Sequence, residues 1–146
     1  ARTDFLLSRA GNRGFYSAML YIDLDHFKEV NDKMGHETGD RLLVEVSRRL
    51  SSAVRESDVV ARIGGDEFVI VLGDLANSGL AAAIAEKIRI SINLPFVFEN
   101  TEVSVSPSIG VSIFPDDGKD MRSLLKKADA RGTEHSLLPA GRCLSR

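Results

Sequence analysis

The sequence predicts an α+β sandwich: a largely antiparallel sheet with helices packed on it. Three features carry that expectation. An apolar run from Ala18 to Ile22 leads into Asp23-Leu24-Asp25, two β-rich runs flank Gly64-Gly65-Asp66-Glu67, and Glu37 to Val54 gathers its apolar residues on one helical face.

Each element follows in turn. Phe5 to Gly14 reads as the tail of a helix that breaks at its glycines. Ser17 to Asp25 is apolar until its acidic end, as a central strand covered on both faces reads. His26 to Met34 and Glu37 to Val54 are helical, the second with Leu42, Leu43, Val46, Leu50 and Val54 on one face and Arg41, Glu45, Arg48 and Arg49 on the other. Val59 to Ile63 and Phe68 to Leu72 form a hairpin closed by a glycine turn, with carboxylates at its tip. A helix from Ser78 to Ile92, a short strand at Phe96 to Phe98, a longer strand from Glu102 to Phe114 and a helix from Met121 to Ala130 complete a βααββαβ order. From 131 to 146 helical periodicity is lost, and an irregular tail is expected after an ordered core of about 4–130.

Composition sets the outer limits. A chain of 146 residues, 43% hydrophobic and 27% charged, suits one domain able to bury a core, and no repeat or linker divides it. The formal net charge of −2 argues against a nucleic-acid surface and leaves room for a small anion held through a metal ion. Cys143 is the only cysteine, so no internal disulfide can form and a reducing, cytoplasmic setting is the simpler reading. The stretch Ala18 to Ile22 is too short to cross a bilayer, although a longer parent protein could carry an anchor.

The chemistry gathers at two acidic sites. Gly64 and Gly65 let a ligand approach the backbone, and Asp66 and Glu67 follow directly. If the Asp23 strand lies beside this hairpin, like charges converge at one sheet edge and call for a cation. Oxygen donors without histidine or cysteine favour magnesium over zinc, and magnesium suggests a phosphate substrate. Asp25 directly precedes the helix at His26 and is expected to cap it rather than bind metal. His26 and His36 lack partners at zinc spacing and are expected to make local contacts.

In order and spacing, Asp23-Leu24-Asp25-His26-Phe27-Lys28, Asn31-Asp32, Gly35-His36, Gly39-Asp40 and Arg62-Ile63-Gly64-Gly65-Asp66-Glu67-Phe68 resemble the GGDEF family of diguanylate cyclases. The similarity continues through Ser108-Ile109-Gly110-Val111, Phe114-Pro115, Asp117-Gly118 and Leu124 to Asp129. The resemblance implies a ferredoxin-like, nucleotidyl-cyclase palm that condenses two GTP molecules into cyclic di-GMP. It implies two Mg2+ ions, with Mn2+ as a substitute, held by Asp23, the Leu24 carbonyl, Asp66 and Glu67. Asp66, with Glu67 in support, would assist deprotonation of the attacking 3′-hydroxyl. Asn31 and Asp40 match the guanine readers, and a carboxylate can accept from guanine N1–H and N2 together, which adenine cannot satisfy. Lys28 corresponds to a phosphate contact, and Arg55 with Asp58 to an inhibitory site for product. Catalysis would need a homodimer, since one domain holds one nucleotide.

Departures lie at both ends. The family's opening turn is absent, with Phe5 to Gly14 aligning late in its first helix. After Asp129 the expected lysine- and arginine-bearing helix is missing, and no phosphate role is carried to Arg142. Removing those cations weakens triphosphate binding and charge compensation. A second reading is therefore a binding module for GTP or cyclic di-GMP, working beside a fused phosphodiesterase or sensory domain. A third, another nucleotidyl cyclase or polymerase-like palm, is opposed by Asn31, Asp40 and the glycine pair.

Overall fold

The computed structural model describes residues 15–118, 120, 122–123, 126–127 and 143–145. Strand β1 (Tyr16–Asp25) occupies the middle of a five-stranded sheet of order β2-β3-β1-β6-β7, and every pairing in it is antiparallel. Alternation along β1 sends Ala18, Leu20, Ile22 and Leu24 into the larger core beneath the helices, while Met19 and Tyr21 join Val69 and Val71 on the opposite face. That two-sided burial explains why the strand reads as continuously apolar until Asp23.

Helix α1 (Phe27–Met34) and helix α2 (His36–Ala53) follow β1 at once. Gly35 joins them at φ 92°, a left-handed conformation that glycine adopts without a Cβ penalty. Phe27 and Val30 of α1 and Leu42, Leu43, Val46 and Leu50 of α2 enter the core. Each such burial is worth roughly 1.5–3 kcal/mol. Arg49 fastens α2 from outside, donating to the carbonyls of Ser91, Leu94 and Pro95 at 2.7, 2.8 and 2.9 Å and lying 3.5 Å from the centroid of the Phe96 ring.

Strands β2 (Val59–Gly64) and β3 (Glu67–Leu75) form the expected hairpin, with Gly65 at φ 46° in its turn and a register shift between Arg62 and Gly64. Helix α3 (Gly79–Asn93) buries Ala81, Ala85, Ile88 and Ile92 along one face.

The long strand expected from Glu102 to Phe114 is divided. Strand β5 (Thr101–Val103) leaves the main sheet to pair with β4 (Phe96–Phe98), and β6 (Ser106–Phe114) alone pairs with β1. The cause is local: Glu99 and Asn100 adopt φ 49° and 68°, two successive left-handed residues of the kind that close a tight hairpin.

The tail also differs from expectation at one point. β7 (Cys143–Ser145) pairs with β6 in the register Ser108↔Ser145 to Gly110↔Cys143, so this part of 131–146 is a strand. In the expected helix Met121 to Ala130, residues 122–123 and 126–127 are helical. The expectation for Phe5 to Gly14 lies outside the described residues. Among the described residues, no helix is long and apolar enough to cross a membrane.

Candidate active site

Sheet pairing builds an acidic corner. Asp23, near the end of β1, stands opposite Glu67 at the start of β3. By strand alternation Asp23 and Asp25 share the face of Tyr21, and Glu67 shares that of Val69. The Leu24 amide donates to the Asp66 carbonyl at 3.1 Å, stitching the hairpin turn to the strand end. In an extended strand a residue's N–H and C=O point to the same side, so the Leu24 carbonyl faces the turn as well.

Electrostatics at this corner are strained in one direction. Burial raises the Asp66 carboxyl above its ordinary value, a backbone hydrogen bond opposes the shift, and the negative charges of Glu67 and Asp25 reinforce it. A cation would relieve this repulsion. Among the described residues no group of three or more His, Cys, Asp or Glu side chains is arranged to hold a metal ion. Magnesium is commonly held by one or two carboxylates, with water and substrate phosphate filling the remaining positions. The oxygen-only donor set fits that ion.

Asp25 does not cap α1. The capping position is His26, at φ 68° with no side-chain capping bond, and the Asp25 carboxylate instead accepts from Ser108 Oγ at 3.1 and 3.0 Å. The left-handed turn at His26 separates Asp25 from the first helical amides, while β6 brings Ser108 within reach. His26 Nδ1 lies 3.4 Å from Glu29 Oε2, a local contact as its spacing predicts.

The turn glycines differ in cause. Gly65 is required by its φ of 46°, but Gly64 has no such conformation, and a Cβ on it would meet nothing within 4 Å. Packing within the described chain therefore does not require its missing side chain. Arg62 Nε donates to the Gly65 carbonyl at 2.9 Å and pins the turn.

Arg62 also lines a cleft of about 510 Å³ with Asp40, Leu43, Val44, Ser47 and Phe68. Its floor is apolar: Leu43 is 7% exposed and Phe68 1%. Asp40 is exposed at the wall. Packing of α1 on α2 sets the half-buried Asn31 against Gly39, next in sequence to Asp40. Lys28 is exposed on the first turn of α1. Sequence reasoning assigned no role to Ser108, Leu43, Arg62 or Phe68. The one signal available was Ser108, one of three serines in the otherwise apolar β6.

Arg55 and Asp58 lie at the far end of the hairpin, away from the acidic corner. Asp58 is 7% exposed, and its carboxylate accepts from the Arg55 amide at 2.9 Å, from Arg55 Nε and Nη2 at 3.2 and 3.0 Å, and from the Gly73 amide at 3.2 Å. Arg55 Nη2 donates to the Gly73 carbonyl as well. The Asp58 hydrogen bond raises the Arg55 guanidinium above its already high value. The Asp58 carboxylate, matched to the inhibitory product site, is thus already engaged by Arg55 and Gly73. A cleft of about 510 Å³ runs beside the pair, lined by Ser51, Val54, Arg55, Glu56, Asp58, Val59 and Val60.

An antiparallel sheet carrying carboxylates at the end of its central strand, beside a glycine turn and an open cleft, matches the palm expected from the sequence. The family described as "Diguanylate cyclase, GGDEF domain" matches residues 1–135, and the chain belongs to the GGDEF family. Cyclic di-GMP phosphodiesterase NbdA of Pseudomonas aeruginosa is 42% identical over 116 residues, covering 80% of this chain and 15% of that protein. Bifunctional diguanylate cyclase/cyclic di-GMP phosphodiesterase MucR of the same organism is 44% identical over 113 residues, 77% of this chain and 16% of that protein. The crystal structure of the GGDEF domain of P. aeruginosa TpbB superimposes with a TM-score of 0.87 at 38% identity, covering 91% of this chain and 83% of that one. The chain thus spans about 15% of the length of the first two relatives.

Proposed function

We propose that residues 1–146 form one catalytic domain of a diguanylate cyclase, joining two GTP molecules into cyclic di-GMP with release of two pyrophosphates. The observation that carries the reading is the acidic corner, where Asp66 is stitched to Leu24 and burdened by burial and by the charges of Glu67 and Asp25. Asp23, the Leu24 carbonyl, Asp66 and Glu67 would hold divalent cations, Mg2+ or Mn2+, which when bound screen the triphosphate and acidify the 3′-hydroxyl. Leu43 and Phe68 provide an apolar bed for the base, and Asp40 with Asn31 reads its edge. Gly64 and Gly65 let the phosphates approach the turn, with Lys28 supplying positive charge. Asp66, with Glu67 in support, assists deprotonation of the hydroxyl. Two copies face each other, each supplying one GTP.

Product would engage Arg55 and Asp58 by opening their pairing, since the Asp58 acceptors are otherwise filled. The names of NbdA and MucR support a place in a longer signalling protein with a fused phosphodiesterase; a sensory domain is the other fusion expected, and the domain is assigned to the cytoplasm.

Incubating the protein with GTP and Mg2+ and resolving the nucleotides by chromatography tests the reading. Cyclic di-GMP is expected from the parent and not from Asp66→Ala. The missing C-terminal lysine and arginine pattern favours a second reading, a GTP-binding regulatory module. Tight GTP binding without turnover would replace the first reading with that one.

A further inference from the structure

We propose that Gly39 is a specificity-positioning residue, whose missing side chain makes the notch that holds the Asn31 carboxamide in place to read a guanine edge. The inference rests on the proposed GTP site and assigns part of its selectivity to a residue that bears no functional group.

A Cβ built on Gly39 would lie 1.7 Å from Asn31 Oδ1, 2.9 Å from its Cγ and 3.5 Å from its Nδ2. The first two separations are impossible for real atoms. Nothing in the backbone asks for glycine: Gly39 is buried within α2, its φ is not left-handed, and its amide donates to the Gly35 carbonyl at 3.1 Å in the ordinary helical manner. A helix prefers alanine at such a position, so the neighbour is what explains the glycine. The neighbour is also anchored from behind, because the Asn31 carbonyl accepts the Gly35 amide at 2.9 Å. The Gly39 notch is where Asn31 Oδ1 rests. With Oδ1 seated in the notch, the Nδ2 donors are the atoms left to a ligand, and Gly39 itself is next in sequence to Asp40.

The clash falls on the end of a side chain that can rotate. Gly39→Ala should therefore keep the fold and swing Asn31 out of register. Titration calorimetry with GTP and with ATP, both in Mg2+, on the parent, Gly39→Ala, Asn31→Ala and the double variant reads this directly. Gly39→Ala should weaken GTP about tenfold, the loss of one good hydrogen bond, with ATP affinity unchanged and no fall in melting temperature. The double variant should bind GTP as Asn31→Ala does, because both changes remove the same contact.

Unchanged GTP affinity in Gly39→Ala overturns the inference, as do losses that add in the double variant. A Gly39→Ala protein that unfolds also overturns it, making the notch a packing requirement. A parent protein that binds GTP no better than ATP defeats the proposed site itself, and this inference with it.

Discussion

The two ends of the β2–β3 hairpin both carry an aspartate, and they solve the problem of a buried charge in opposite ways. At one end Asp58 is almost wholly enclosed yet meets two backbone amides and a guanidinium, its own arginine's included. At the other, Asp66 is only half-buried but faces the like charges of Glu67 and Asp25, and its proton affinity rises. A carboxylate satisfied from within the chain stabilises the fold. One left under repulsion is arranged for something the chain does not itself supply.

Exchanging each aspartate separates the two roles. The largest effect expected is on turnover: Asp66→Asn should lower cyclic di-GMP formation by about a thousandfold, the scale of losing a key electrostatic contact in a transition state. Asp58→Ala should leave the initial rate within about threefold, since it lies at the far end of the hairpin from the reaction. Product quantified by chromatography at early times checks both, and equal losses would break the contrast.

Stability should show the reverse order. Asp58→Ala strands the Gly73 amide and the Arg55 guanidinium, and should cost about 2 kcal/mol in a urea titration; half-exposed Arg55 can turn to water, which keeps the value below that of a fully buried pair. A change under about 0.5 kcal/mol, the ordinary surface range, would mean the clamp contributes little.

The smallest effect concerns pH. Burial raises the Asp66 pKa in the folded chain above its unfolded value, so the folded state binds the proton more tightly and stability falls as pH rises through that interval. In chelator at neutral pH, Asp66→Asn should therefore melt no lower than the parent, and the two should converge as the pH is lowered and the parent's carboxyl becomes protonated. A variant melting well below the parent in chelator would show that the ionised Asp66 stabilises the fold.

What the sequence determined by itself was whatever is written in local pattern. The two-sided apolar run gave β1, the one-faced spacing gave α2, and the glycine pair between β-rich runs gave the hairpin whose tip carries Asp66 and Glu67. These depend on neighbours a few residues apart, so their periodicity is visible without a fold. The family resemblance was legible for the same reason, being carried by short motifs in order.

Tertiary structure alone decided the partners. Asp25 looked like a helix cap because its nearest amides in sequence are those of α1, but its hydrogen bond goes to Ser108, 83 residues away. Asp58 looked available until Gly73, across the hairpin, proved to be one of its donors. Gly39 was one matched letter until α1 packed against α2 and showed the side chain its own absence admits. A side chain's partner is set by which strand or helix the chain folds against it, and that choice is made by burial of the whole core rather than by any local run of residues.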